Sequence, residues 1–328
     1  MNGRPHGDAS HGDSIDCIVC GTCVADILVR PVPLSQPVGG GRLLHVDPIE
    51  VTTGGIVCNT GTAMRRLGMR VAGSSLVGDD LWGGVVRSRL AAEGIDTSAL
   101  EPHATLATST TAVLIDPSGE RSFAHHVGAP QAIDVDFIRR QAAHFGRSRL
   151  ALVGYFGLLP SLEPVLADAL SSIKATGCQV AVETGGSGGS LEHLVPALPH
   201  VDIYVPSLDE AAHQTGCTDP REIIACYRRH GAGGIVGVKL GSRGTLLTTA
   251  EGGLLDIPCL PAPGPVIDTT GAGDSFLAGL LTGLLRGMPL REAGLLGAAT
   301  AACCVTGLGA TAGLRSFEET LRLAIGDG

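Results

Sequence analysis

Short apolar runs, at Ile15–Gly21, Leu150–Phe156, Val201–Val205 and Ile235–Lys239, recur along the chain with helical patterns between them. A strand that is apolar throughout, rather than alternating, has no face to offer to water, and this is the condition of a strand covered on both sides. Strand and helix in alternation across 131–328 predict a doubly wound, mainly parallel α/β sheet, with ligands beyond the carboxyl ends of its strands. The 328 residues suffice for one large α/β domain or two modest ones, and the 48 glycines suit a turn-rich parallel sheet.

Two excursions interrupt this pattern. The first holds the β-like pieces Ile27–Val29 and Leu43–Val46, separated by a Pro/Gly-rich stretch. The second, Ala112–Ile115 and Arg121–His126, is joined by Asp116-Pro117-Ser118-Gly119-Glu120, the Asp/Pro/Gly chemistry of a hairpin turn. Two such excursions from an α/β body predict a small sheet covering a cleft, with segments at about 27–51 and 108–130.

The stretch Asp268-Thr269-Thr270-Gly271-Ala272-Gly273-Asp274-Ser275-Phe276 reads as a loop opening a helix, whose apolar pattern continues through Leu277, Leu280, Leu281 and Leu284. The first helical turn leaves backbone N–H groups without partners and carries the positive end of the peptide dipoles, so the loop suits an anion. Asp274 fits an anion site only if it does chemical work there, as a base toward an attacking hydroxyl would. Its other reading is an N-cap. Far upstream, Gly54 and Gly55 allow close backbone approach, and Asn59, at the start of a helix, offers both a donor and an acceptor to a polyol. Asp26 follows the first strand in Gly21-Thr22-Cys23-Val24-Ala25-Asp26, where a turn aspartate is the competing reading.

The 268–276 string resembles the C-terminal signature of the ribokinase-like (PfkB) carbohydrate kinases, and Gly54-Gly55-x(3)-Asn59 with its helix resembles their N-terminal one. The likeness extends from about residue 15 to the end in the family's order, leaving 1–14 as a loose, disordered tail. It implies one kinase domain over 15–328 with a β-sheet lid that also forms a homodimer contact in many members. By the same likeness Gly271, Ala272 and Gly273 supply the anion hole, Asp274 is the catalytic base, and Asp26, Gly54, Gly55 and Asn59 meet the sugar. Lys239, Gly241, Gly244 and Thr270 would lie along bound ATP, and Glu210 would position Mg²⁺ through water. Pro206-Ser207-Leu208-Asp209-Glu210 stands where the family has Asn-x-x-Glu, with Ser207 replacing the asparagine. Asp268 matches an aspartate that in some members helps bind a monovalent cation such as K⁺. Ile56 sits where ribose-specific members carry a polar residue, which turns the expectation from ribose toward another sugar or polyol. A nucleoside is the alternative, since Gly154-Tyr155-Phe156 resembles a run in adenosine kinases. A non-catalytic sugar- or nucleotide-binding regulator is the reading from a different class; a binder would gain nothing from a carboxylate beside phosphate.

A formal charge of −9 and a pI near 5.6 argue against nucleic-acid and basic membrane surfaces. Ten cysteines, mostly within apolar runs, read as buried thiols of a reducing, cytoplasmic compartment. Cys17, Cys20 and Cys23 have cluster-like spacing, but the expected fourth ligand would fall at Ile27, so strand packing is the reading. Ala293–Leu314 carries no charged residue; its glycines and threonines predict a helix buried in a soluble core rather than a membrane span. Gly185–Ser190 lacks both common phosphate-loop fingerprints and reads as a flexible surface loop.

Overall fold

The computed structural model describes residues 14–35, 40–249 and 251–326. Of the expected tail at 1–14, only Ser14 lies within them. In chain order the strands are β1 Ile15–Cys20, β2 Val24–Val29, β3 Glu50–Gly54, β4 Val71–Gly78, β5 Asp96–His103, β6 Ser109–Ile115 and β7 Arg121–His126. They continue as β8 Ser148–Gly154, β9 Gln179–Glu183, β10 Ile203–Tyr204, β11 Ile235–Lys239, β12 Thr245–Thr248 and β13 Leu254–Ile257.

Nine of these form one sheet in the order β13-β12-β11-β10-β9-β8-β1-β4-β5. Pairing is parallel from β5 to β11, and at one edge β12 alone runs the other way, pairing antiparallel with both β11 and β13. Ile18 and Cys20 of β1 pack into one apolar cluster and Cys17 and Val19 into another. The alternation of side chains along a strand thus feeds two cores, which is why the sequence of β1 shows no polar face. It also sends Cys17 and Cys20 to opposite faces, and burial pushes both thiols well up.

The uncharged 293–314 stretch becomes a helix only as far as Cys304, in the element Leu290–Cys304, packed along the helix Ala272–Leu285. Small residues set that contact: a Cβ on Gly279 would lie 2.7 Å from Gly297 Cα. Among the described residues no helix is long and apolar enough to cross a membrane.

A second sheet, β3-β2-β6-β7, stands apart, with β2 and β6 parallel and the outer pairs antiparallel. The β6–β7 turn closes through Asp116, whose carboxylate accepts from Ser118 N at 2.7 Å and Glu120 N at 2.9 Å. The strand expected at Leu43–Val46 does not form. Leu43 is 82% exposed, and the partner of β2 is instead Glu50–Gly54, where Thr52 and Thr53 sit opposite Asp26 and Ala25. Without a neighbour to take its hydrogen bonds, a short apolar string gains nothing from extension.

Candidate active site

The carboxyl ends of the parallel strands deliver the chemistry to one line. Gly154 at the end of β8 pairs with Glu183 at the end of β9, and Ser207 after β10 bridges to Lys239 of β11. Facing this line is the start of the helix Ala272–Leu285, with Gly271 as its N-cap at φ 77°. That left-handed turn is open to glycine, and the Ala310 side chain fills the space a Cβ would need. Residues 271–274 border the cleft; the Ala272 N–H donates to Thr269 O at 3.2 Å and the Ser275 N–H to Gly271 O at 2.8 Å.

Asp274 sits in the first turn, 5% exposed. Asn59 donates Nδ2–H to its Oδ2 at 2.8 Å, and Tyr155 donates its hydroxyl toward Oδ1 at 2.9 Å and Oδ2 at 2.8 Å. Burial raises the Asp274 pKa above the ordinary carboxylate value, while the Asn59 and Tyr155 donors and the Lys239 ammonium pull it back. Asn59 lies in the first turn of the helix Ile56–Arg66, its N–H donating to the Gly55 carbonyl at 2.9 Å. Its Oδ1 is buried without a partner, so the acceptor side of that amide is free.

Three cavities meet here. A polar one of about 560 Å³ lies under the small sheet and holds Asp26, Gly54, Gly55, Asn59, Tyr155 and Thr270 among its walls. The Asp26 carboxylate fills the space a side chain at Gly54 would take, and burial lifts its pKa to about 6 against the opposing hydrogen bond of Thr111. An apolar one of about 400 Å³ is lined by Lys239, Gly241, Gly244, Phe276, Ala298 and Val305. A groove of about 480 Å³ joins them, bordered by Glu183, Glu210, Lys239 and residues 271–274. Thr270, expected beside the nucleotide with Lys239, Gly241 and Gly244, instead faces the polar cavity, and Thr269 stands in the apolar one.

Lys239 Nζ lies 3.0 Å from Glu183 Oε1, and the two side chains are 12% and 5% exposed. Burial pushes Glu183 up to about 7 despite the ammonium beside it, and its Oε2 has no partner. A Cβ on Gly273 would come within 3.3 Å of Lys239 Nζ, so this ammonium abuts the loop at 271–273. Glu210 borders the groove and also accepts from Ser207 N at 2.7 Å, completing a capping box with the Ser207 hydroxyl. The Ser-x-x-Glu spacing therefore has a structural use of its own. Among the described residues no group of three or more His, Cys, Asp or Glu is arranged to hold a metal ion.

Asp268 accepts from Arg121 Nη2 at 2.6 Å, Thr270 N at 3.0 Å and Gly309 N at 2.6 Å. These donors hold its carboxyl below the usual range against burial. Arg121 stands on β7 of the small sheet and also donates to Thr270 Oγ1 at 2.9 Å, so the sheet is tied to the loop.

Arg121, Tyr155 and Glu183 were not marked as site residues by sequence reasoning. Glu183 does leave a trace, a lone carboxylate ending an apolar strand. Gly185–Ser190, expected as a flexible surface loop, is exposed at Gly186 and Ser187 but packs inward at two glycines: a Cβ on Gly185 would lie 2.7 Å from the Tyr155 ring and one on Gly188 2.7 Å from the Glu210 carbonyl oxygen.

A sequence profile described as "pfkB family carbohydrate kinase" matches residues 16–316. A ribokinase of Haemophilus influenzae is 28% identical over 308 residues, covering 92% of this chain and 96% of that protein. A fructokinase of Klebsiella pneumoniae is 31% identical, covering 83% and 85%. The Arabidopsis thaliana ribokinase, solved in complex with ribose and ATP, superposes with a TM-score of 0.79 at 21% identity, over 96% of this chain and all of that one.

Proposed function

The chain belongs to the pfkB family of carbohydrate kinases and is an ATP-dependent kinase of a sugar or nucleoside hydroxyl; from that premise we propose that the acceptor is a sugar or related polyol and Asp274 its general base. The observation that carries this reading is the place of Asp274. A carboxylate 5% exposed, in the first turn of a helix, borders the groove beside Gly271–Gly273, and its two hydrogen-bond donors, Asn59 and Tyr155, border the polar cavity. In the polar cavity Asp26 accepts from acceptor hydroxyls. The acceptor O–H breaks toward Asp274, its electron pair forms the bond to the γ-phosphorus, and the bond to the ADP oxygen breaks with its pair leaving on ADP. The N–H groups at 271–273 and the Lys239 ammonium meet the charge on the transferring group.

The apolar cavity suits an adenine ring. Mg²⁺ suits Glu210, because this ion keeps most of its waters and needs phosphate oxygens rather than an all-protein cage. When bound it would neutralise phosphate charge. The donor set at Asp268 does not suit K⁺, since a guanidinium already neutralises the carboxylate, and no step is assigned to that ion. We read the sheet β3-β2-β6-β7 as a lid that excludes water during transfer.

One observation favours a nucleoside as second reading: the rim of the polar cavity is apolar, with Leu28, Val113, Phe123, Val127 and Leu158. The deciding test is ATP consumption with Mg²⁺ against a panel of sugars, polyols and nucleosides. Turnover on a sugar or polyol alone supports the first reading and turnover on a nucleoside alone the second. Full turnover by Asp274→Asn would remove the assigned base.

Two further outcomes are expected. Ionised Asp26 accepts the stronger, charge-assisted hydrogen bonds, so acceptor KM should rise as pH falls through about 6. Asp26→Asn should raise KM about tenfold or more, the scale of one lost charged hydrogen bond, and flatten that pH dependence. Arg121→Met should loosen the lid, raising acceptor KM about tenfold and the yield of ADP per phosphorylated product. An unchanged ratio would detach Arg121 from closure.

A further inference from the structure

We propose that Tyr155 is a positioning residue whose hydroxyl locks the Asp274 carboxylate and leaves Oδ1 as the oxygen that receives the acceptor proton. The inference rests on the reading of Asp274 as base and adds which atom works and what holds it.

The backbone comes first. Among the described residues, Tyr155 is the one non-glycine with positive φ, at 58°. Such strain persists where surrounding structure imposes it, and it gathers at sites that need a side chain in one place. Here the imposition is visible: Tyr155 directly follows β8, and Gly185 leaves no room between its backbone and the ring. The ring borders both the polar cavity and the groove.

The hydrogen bonds then divide the carboxylate. Oδ2 takes the Asn59 amide and a share of the Tyr155 hydroxyl, whereas Oδ1 takes only the other share. A carboxylate oxygen has two lone-pair sites, so Oδ1 keeps the greater free capacity. The acceptor O–H breaks toward Oδ1 as its electron pair forms the phosphorus–oxygen bond and the departing pair leaves on ADP. Tyr155 keeps its own proton throughout, because burial and the charges of Asp274 and Glu183 push its pKa well above the ordinary phenol value.

The charged and titratable groups around Asp274 are Lys239 from β11, Glu210 from the helix Leu208–Thr215, Glu183 from β9 and Cys304 from the helix Leu290–Cys304. Against the carboxylates, the Tyr155 donor helps Asp274 to stay ionised in a dry site.

The test is Tyr155→Phe, which keeps the ring and removes the hydroxyl, assayed with Mg²⁺-ATP and ribose, fructose or adenosine across pH, with Asp274→Asn alongside. The acid limb of kcat should move to higher pH; on that limb the rate should fall about tenfold for each pH unit it moves, with a much smaller loss at alkaline pH. ¹³C NMR of labelled aspartate, with the Asp274 signal assigned by its absence in Asp274→Asn, should show the same upward titration without turnover. An unmoved limb and titration in Tyr155→Phe, with Asp274→Asn inactive, overturns the role of Tyr155 and leaves the base assignment standing. Full turnover by Asp274→Asn overturns the assignment itself.

Discussion

Asp274→Asn is expected to lower kcat about 10²–10⁴-fold, the range of a lost general base, while the protein stays folded and still binds its acceptor. The reason for the split is local. The new amide nitrogen would oppose the Asn59 Nδ2 donor, but Asn59 Oδ1 is buried without a partner, and turning that amide over restores a donor–acceptor pair. Tyr155 can still donate to the remaining oxygen. The wild-type carboxylate, meanwhile, is held against burial that raises its pKa. A carboxyl raised in the folded state stabilises the fold at low pH, and that contribution fades as pH rises from its unfolded value through its folded one. At neutral pH the charge therefore costs stability, and the variant should melt no lower than the wild type, with the gap in its favour widening above the unfolded carboxyl pKa. Thermal melts and single-turnover assays on the same samples check this. Wild-type turnover, or a variant that no longer folds, would contradict it.

Lys239→Met is expected to cost about 3–5 kcal/mol of stability, the scale of breaking a buried ion pair from one side, together with most activity. Glu183 would remain, 4% exposed, with neither oxygen matched to a charge. The sign with pH follows from its carboxyl, already raised to about 7. Below the unfolded value Glu183 is neutral in both states. Between that value and about 7 the wild type gives up its contribution, and above this window the variant goes on losing, because its Glu183 titrates higher still. The difference in melting temperature should thus be larger at alkaline than at mildly acidic pH. Glu183→Gln added to Lys239→Met should recover much of the stability and none of the activity, since Lys239 also abuts the loop at Gly273. Additive losses in the double variant would show that the pair is not coupled.

Much of this site was legible in the chain. The 268–276 string announces a loop opening a helix, and its resemblance to the family signature, rather than glycine and carboxylate alone, singles out Asp274; Asp26, Gly54 and Gly55 do border one polar cavity. What misled were strings whose meaning depends on a neighbour. Leu43–Val46 looks like a strand but finds no partner, whereas Glu50–Gly54, poorer in apolar residues, pairs with β2. Gly185–Ser190 looks like a solvent loop because glycines carry no sign of what packs on them. Thr270 and Thr269 differ by one place, and only the turn decides which cavity each faces.

The residues by themselves determined the doubly wound sheet, the small second sheet and the place of the Asp274 carboxylate at a helix start. Each of these is written in local pattern: runs without a polar face, turn chemistry, and a glycine loop opening a helix. Only the tertiary structure decided that Tyr155 and Asn59 share Asp274, that Glu183 answers Lys239, and that Arg121 reaches from the lid to Asp268. Those partners lie 56 to 215 positions apart. A hydrogen bond or ion pair across such a distance leaves no period in the sequence, because it is set by the order in which strands lie side by side and not by the spacing of residues along any one of them.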